Sequence, residues 1–407
     1  MNRPLTQERV IAPGASSVLD AVLQRHGLGK RVVLVCDDAT WVAAGQRAQA
    51  ELHKAGGYEV LPYSLGRQVK PLLSHATELA ANAQTYDTLV AIGSGTVNDI
   101  TKYAAALLRK PYVSVPTAAS MNGYTSAGAS LIDHGHKHSH PALPPCAVVV
   151  DLDVIAAAPK RMTRAGLGDT LCRSTVEVDM LLAYHLLDQP YPRIWFNAMR
   201  VHESQLIAHA GKLREGDGAF LALLMTALLD GGDAMADTGS SAVASQGEHM
   251  ITHTAELMYG AELSRVMHGE LVAVTTLSMG HLQQKLLLSS PSVKPLPQDY
   301  DKFPRIFGKD AGGKIAAAYA AKVLSPEQAE AMNGRFAARW PQMKEEMQQI
   351  MLSPNTVERA FMQAGVPTKP GDIGLSDERY VNACNHAYMT RDRFTFLEIA
   401  AMMNRRF

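Results

Sequence analysis

A chain of 407 residues exceeds what one hydrophobic core ordinarily serves, so two domains are expected. Its 39 basic residues balance 39 acidic ones, which leaves no global field to draw nucleic acid or an anionic membrane; any anionic substrate must be held by local groups. Four cysteines (Cys36, Cys146, Cys172, Cys384) show no CxxC spacing, which argues against a disulfide framework and a cysteine-rich zinc site. The first residues, MNRPLTQERVIAPG, lack the apolar core of a signal peptide. No uncharged apolar run reaches about 18 residues. A soluble, cytoplasmic protein is expected.

The first third alternates short apolar runs with helical periodicity. RVVLVCDD (31–38) reads as a strand and is followed by a helix through Arg47–Leu52. YEVLPYSL (58–65) is a second strand, 72–83 a helix, and TLVAIGSG (88–95) a third strand ending in a glycine turn. A helix from about Val97 to Leu108 leads into PYVSVPT (111–117), and a hairpin is expected across SAGASLID, HGHKHSH and PALPPCAVVVDLDVI. Strands and helices alternating at this spacing predict a parallel, Rossmann-like α/β sheet. From about Pro159 the 3.6-residue period takes over, with a Ser/Pro/Lys-rich surface excursion at 289–304 and an amphipathic helix at Trp340–Met351. The expected domains are therefore 1–157, α/β and nucleotide-binding, and 158–407, helical and metal- and substrate-binding.

Polar and small residues gather where ligands bind such sheets. Gly93 to Asp99 (GSGTVND) sits where a buried strand turns into a helix, and small residues there let backbone N–H groups approach a phosphate. The same pattern also serves a plain tight turn. Asp37 closes the first strand, where an acid accepts from a ribose or caps the next helix, a cap Asp38 makes as easily. Thr117 to Ser126 (TAASMNGYTS) crowds hydroxyls and a carboxamide at a strand's carboxyl end. Asp169, in AGLGDT, either caps the first long helix of the second domain or supplies a metal carboxylate.

The stretch Gly247–Glu270 carries His249 and His253 one helical turn apart, with His268 opening a second apolar run. Imidazoles converging in this way are nitrogen ligands for a divalent transition metal, with one carboxylate from elsewhere completing an open site. The segment is not HExxH, so a metalloprotease is disfavoured. The tract His134, His136, His138 and His140 lies in the expected hairpin loop and reads as solvated, with adventitious metal capture open to it.

The ordered series VCDDAT, GSGTVNDITK, PTAASMNGYTS, AGLGD, EHMITH and HGE resembles the dehydroquinate synthase-like/iron-containing alcohol dehydrogenase superfamily, and within it the sn-glycerol-1-phosphate dehydrogenase family. The resemblance implies a dehydroquinate synthase-like fold, an NAD(P) cofactor, one divalent metal (Zn, Ni or Fe) and a homodimer. It implies nucleotide contacts at Asp37, Gly95, Thr96, Val97, Asn98, Asp99, Thr117, Ala118, Ala119, Ser120 and Ser126. It implies metal ligands at Asp169, His249 and His268, and turns His253 toward substrate.

One residue departs from the family pattern: Asn122 stands where an aspartate that contacts the polyol is usual. Asparagine keeps an acceptor and adds a donor but loses the charge. The implied activity is metal-dependent, NAD(P)-linked interconversion of glycerone phosphate and sn-glycerol 1-phosphate, or a closely related phosphorylated polyol, with Asn122, Asp169 and His253 contacting substrate. Two alternatives share the fold. A dehydroquinate-synthase-like cyclase/lyase recycles NAD internally and releases phosphate, and a non-catalytic regulatory protein binds NAD and metal without turnover.

Overall fold

The computed structural model describes residues 5–133, 136–405 and 407. The chain forms two compact units: residues 1–170 with 211–240, and residues 171–210 with 241–407. The expected divide at 157/158 falls earlier than this crossing at Thr170, and the sheet-bearing unit also recovers a later helix, Gly218–Thr238.

The first unit is built on a six-stranded parallel sheet of β1 (Glu8–Ala12), β2 (Arg31–Cys36), β3 (Glu59–Ser64), β4 (Thr88–Gly93), β5 (Tyr112–Pro116) and β8 (Ala147–Asp151), in the order β1-β8-β5-β4-β2-β3. Both faces are covered, which is why these strands read as continuous apolar runs rather than alternating ones. Val32, Leu34 and Cys36 enter one core cluster, while Val33 and Val35 enter the other. From β2 the chain steps outward to β3 and then returns to lay β4 on the other side of β2. The carboxyl ends of β2 and β4 therefore flank the switch point where open α/β sheets bind ligands.

Two expectations change here. β6 (Gly128–Asp133) pairs antiparallel with β7 (His136–Pro141), so the histidine tract is itself the returning strand, and Ala147–Asp151 joins the parallel sheet between β1 and β5. His138 and His140 are half-buried, with the His140 ring 5.0 Å from that of Tyr103. Neither joins a cluster able to hold an ion among the described residues; His134 lies outside them. β1 has no counterpart in the expected elements because its five residues carry too short a pattern.

The Gly218–Thr238 helix has a mean hydropathy of 1.4, long and apolar enough to cross a membrane by composition, yet two-thirds of it is buried inside the protein. Its Asp230 pairs with Arg9 of β1 at 2.6 Å, and Asp233 pairs with the same guanidinium. It is a core helix of this unit.

The second unit is helical. Arg173–Leu187, Gly247–Tyr259, His268–Leu287 and Pro326–Ile350 contribute to one large apolar cluster that includes Leu182, Ile251, Phe336 and Phe396. The expected Trp340–Met351 helix is the C-terminal half of Pro326–Ile350. The excursion at 289–304 is less superficial than its composition suggests. Val293 and Leu296 are buried, and Asn333 holds Val293 through both backbone N–H (2.8 Å) and carbonyl (3.0 Å). Asp179, also fully buried, accepts from the N–H groups of Gly247 and Phe396 and so ties the starts of two helices to Arg173–Leu187.

Candidate active site

In the first unit, the helix after β4 runs Gly95–Leu108, two residues earlier than expected. Its N-cap, Ser94, makes no side-chain cap bond. Asn98 N–H already donates to the Ser94 carbonyl at 3.0 Å, so the N–H groups of Gly95, Thr96 and Val97 are the ones the helix itself leaves over. That donor set, at the positive end of the helix and beside the switch point, fits a pyrophosphate.

The side chains beyond it are occupied differently. Asn98 is fully buried, accepting from Ser114 Oγ at 2.9 Å, and Asp99 accepts from Ser130 N–H at 3.0 Å. Lys102, also fully buried, lies 3.5 Å from Asp99 and donates to the Gly123 carbonyl (2.7 Å), Ser126 Oγ (3.1 Å) and the Gly128 carbonyl (3.1 Å). The GSGTVNDITK motif thus presents its backbone at the helix start and uses its later side chains to shape the neighbouring loop. Lys102 was not singled out from the sequence, although it follows Asp99 by one helical turn.

Asp37 proves to be the cap. Its Oδ1 accepts from Thr40 N–H at 2.8 Å and its N–H donates to Thr40 Oγ1, while Asp38 accepts from Ser64 Oγ. A carboxylate has acceptor sites beyond the one used here, so a ribose contact is compatible with the cap.

The 117–126 loop folds on itself. Tyr124 is fully buried, donates to the Ala118 carbonyl at 2.6 Å and lies 3.2 Å from Ser120 Oγ, while Thr117 N–H donates to the Gly93 carbonyl at 3.2 Å. Ser126 Oγ is held by the carbonyls of Gly123 and Gly128. Two helices press on this loop without room for side chains. A Cβ on Gly166 would lie 2.0 Å from the Ala119 carbonyl oxygen, and one on Gly232 would lie 2.2 Å from Thr125 Oγ1.

Asp169 is buried near the end of the Lys160–Thr170 helix, not at the start of a long one as expected. It cannot serve as an N-cap there; its Oδ2 accepts from Asn122 N–H at 2.9 Å. The carboxylate and the departing asparagine are therefore neighbours.

The second unit gathers the imidazoles. His249 and His253 lie on Gly247–Tyr259, and His268 is the first residue of His268–Leu287. Their ring centres are 5.2 Å (249–268), 5.3 Å (253–268) and 6.1 Å (249–253) apart. A tetrahedral ion about 2.1 Å from one nitrogen of each of two rings would hold their centres roughly 5.2 Å apart, so His268 with either partner fits.

Each ring also has its Nδ1 on a carboxylate: His249 on Glu248 (2.8 Å), His253 on Glu256 (2.9 Å) and His268 on Glu256 (3.2 Å). With Nδ1–H donating, each neutral ring presents its lone pair at Nε2, the tautomer and orientation a metal ligand or proton acceptor needs. Burial pushes His253 down to about 3 despite Glu256, and the nearby Arg391 charge adds to this. Burial alone would raise Glu256, but its bonds to His253 and His268 hold it well below the usual carboxylate range. Glu256 was missed in the sequence, although it stands three residues after His253 on the same helix face.

A family model for iron-containing alcohol dehydrogenases matches residues 10–159. The chain is 30% identical over 370 residues to the glycerol-1-phosphate dehydrogenase [NAD(P)+] of Geobacillus thermodenitrificans, covering 88% of each chain. It belongs to the glycerol-1-phosphate dehydrogenase family of the iron-containing alcohol dehydrogenases. Another member of this family, the glycerol-1-phosphate dehydrogenase [NAD(P)+] of Bacillus subtilis, is 28% identical over 405 residues, covering 97% of this chain and 91% of that one. Solved structures extend the fold of the family more distantly. A probable glycerol dehydrogenase from Sinorhizobium meliloti superposes with a TM-score of 0.64 at 20% identity, over 99% of this chain and 98% of the other. An NADH-dependent butanol dehydrogenase from Thermotoga maritima gives 0.61 at 16% identity, over 98% and 97%.

Proposed function

We propose that this family member catalyses NAD(P)-linked, metal-dependent interconversion of glycerone phosphate and sn-glycerol 1-phosphate, or of a closely related phosphorylated polyol. The observation that carries the reading is the set of three imidazoles with every Nδ1 on a carboxylate, in a chain of this family. Asp169, His249 and His268 would hold a divalent ion, zinc, nickel or iron, all of which suit a His/His/Asp donor set. Gly95, Thr96 and Val97 would take the pyrophosphate on their N–H groups. Asn98, Asp99, Thr117, Ala118, Ala119, Ser120 and Ser126 would complete the nucleotide's surroundings, chiefly by shaping the backbone. Asp37 would accept from the ribose, which favours NAD because its charge opposes a 2′-phosphate.

A nicotinamide held there would supply or take up hydride, and a divalent ion held by Asp169, His249 and His268 would supply Lewis-acid polarisation of the substrate oxygen. His253, kept neutral by burial and oriented by Glu256, would orient a substrate hydroxyl or relay its proton through Nε2. Asn122 places a carboxamide beside the polyol, its backbone tied to Asp169. A homodimer in the cytoplasm, with neither nucleic acid nor membrane as partner, completes the proposal and rests on the family and on the balanced charge. NADH oxidation with glycerone phosphate, dihydroxyacetone and a panel of phosphorylated ketones tests it. Turnover favouring phosphorylated ketones over dihydroxyacetone is expected; NADH left unchanged by all of them contradicts it.

A further inference from the structure

A net charge of zero requires local groups to hold a substrate's phosphate, and the site described so far supplies none on the metal- and proton-handling side. In the second unit a short loop after Thr390 carries Arg391 and Arg393. Neither is exposed. Arg391 Nη1 donates to Ser245 Oγ at 3.1 Å and Arg393 Nη2 to Ser241 Oγ at 3.0 Å. Arg393 Nε is buried with no hydrogen-bond partner among the described residues. No carboxylate forms an ion pair with either guanidinium among these residues, although Glu248 and Glu256 are near enough for their charges to act on Arg391. Two partly buried cations side by side, with Asp392 and Glu248 acting on Arg393 only through space, are better accommodated when an anion joins them.

Their placement is built. Lys322 donates to the Arg391 carbonyl at 2.6 Å, to the Arg393 carbonyl at 3.5 Å and to Glu398 at 2.6 Å, which pins the loop backbone. Thr390 Oγ1 lies 3.1 Å from Thr254 Oγ1, next to His253 in sequence. The two serines belong to the segment leading into Gly247–Tyr259, the helix that bears His249 and His253. Burial pushes Arg391 down to about 10, with Arg393 adding like-charge repulsion. A dianion would relieve both effects.

We propose that Arg391 and Arg393 form the subsite for the phosphate group of the substrate, with Ser241 and Ser245 orienting their guanidinium forks. Planar, multidentate donors match a phosphate monoester better than a lysine would. The assignment rests on the polyol-phosphate reading above and names what would make the site choose phosphorylated over free polyols.

The test compares wild type with Arg391→Gln, Arg393→Gln, Arg391→Lys and Arg393→Lys in two assays. Calorimetric titration of the as-purified protein with inorganic phosphate needs no turnover. Steady-state NADH oxidation gives KM for glycerone phosphate and for unphosphorylated dihydroxyacetone. The glutamine variants are expected to weaken phosphate binding and raise KM for glycerone phosphate by about 10- to 100-fold, with a much smaller change in KM for dihydroxyacetone and with the lysine variants in between. Wild type that binds no phosphate, or folded glutamine variants that bind it as wild type does, overturns the assignment even where dehydrogenation occurs. Phosphate binding that depends on both arginines, in a protein with no turnover on any phosphorylated ketone, upholds the anion site and removes the reaction instead.

Discussion

Glu256 shows how one carboxylate can set the chemistry of two rings. Its oxygens accept separately from His253 and His268, so the Nε2 of each ring faces outward with its lone pair. Glu256→Gln keeps the shape but offers one acceptor oxygen in place of two. Partners of this kind are worth about 10- to 100-fold in metal affinity. A loss in that range is expected by competition with a chromophoric chelator, and affinity equal to wild type would show the carboxylate to be incidental. Asn122 makes the complementary case, a departure rather than a support. Asn122→Asp restores the family's charge next to Asp169 and is expected to raise kcat/KM on sn-glycerol 1-phosphate. A fall in that ratio, with a gain on another polyol phosphate, would mean the asparagine sets substrate choice. Neither Glu256 nor the arginine pair was legible in the sequence, because hydrogen-bond partners across helix turns and withdrawal from water are properties of the folded chain. The three histidines were legible because helical spacing and residue type alone bring them forward.

At the scale of elements, the 117–126 loop is positioned by helices that lack side chains where they touch it. Gly166→Ala would bring a Cβ to 2.0 Å from the Ala119 carbonyl, a backbone atom that cannot swing aside. The Lys160–Thr170 helix would have to lift, at a cost of roughly 1–3 kcal/mol. A lowered urea midpoint is expected, together with a raised KM for NADH, since the proposed nucleotide site includes Ala119. An unchanged midpoint would contradict this packing. The parallel sheet was readable because strands buried on both faces are continuous apolar runs. The hairpin was readable only in its first strand, because its return was expected after the histidine tract rather than in it. His136–Pro141 alternates imidazoles with Lys and Ser, a composition that looks like loop, yet it pairs with Gly128–Asp133 in full register. Asp169 was misplaced within its helix for a related reason: Gly166 and Gly168 suggest a helix start, whereas Gly166 is there to admit the Ala119 loop.

For the whole molecule, stability in acid is tied to buried carboxylates. Asp151, at the end of β8, is fully buried and accepts from the N–H groups of Gly14, Ser16 and Asp153 at 3.0–3.1 Å. Burial raises its pKa, but these donors outweigh that and leave it below 3.8. A carboxyl depressed in the folded state contributes stability above its unfolded pKa and loses it as pH falls through the folded value. Asp151→Asn sets an amide donor against N–H groups and is expected to cost about 1–3 kcal/mol at pH 7. That gap should narrow as pH falls below about 4, where the unfolded carboxyl and then the folded one protonate. A gap that stays constant from pH 7 to pH 3 in urea unfolding would assign the loss to shape rather than charge.

The central claim is that the three imidazoles and Asp169 serve a metal-dependent hydride transfer. Protein dialysed against a chelator is assayed for NADH oxidation with glycerone phosphate, then supplied with Zn²⁺, Ni²⁺ or Fe²⁺. The expected result is activity lost on dialysis and restored by at least one ion in wild type but by none in His249→Ala or His268→Ala. Oxidation that survives dialysis, or that both variants recover fully, would contradict the account.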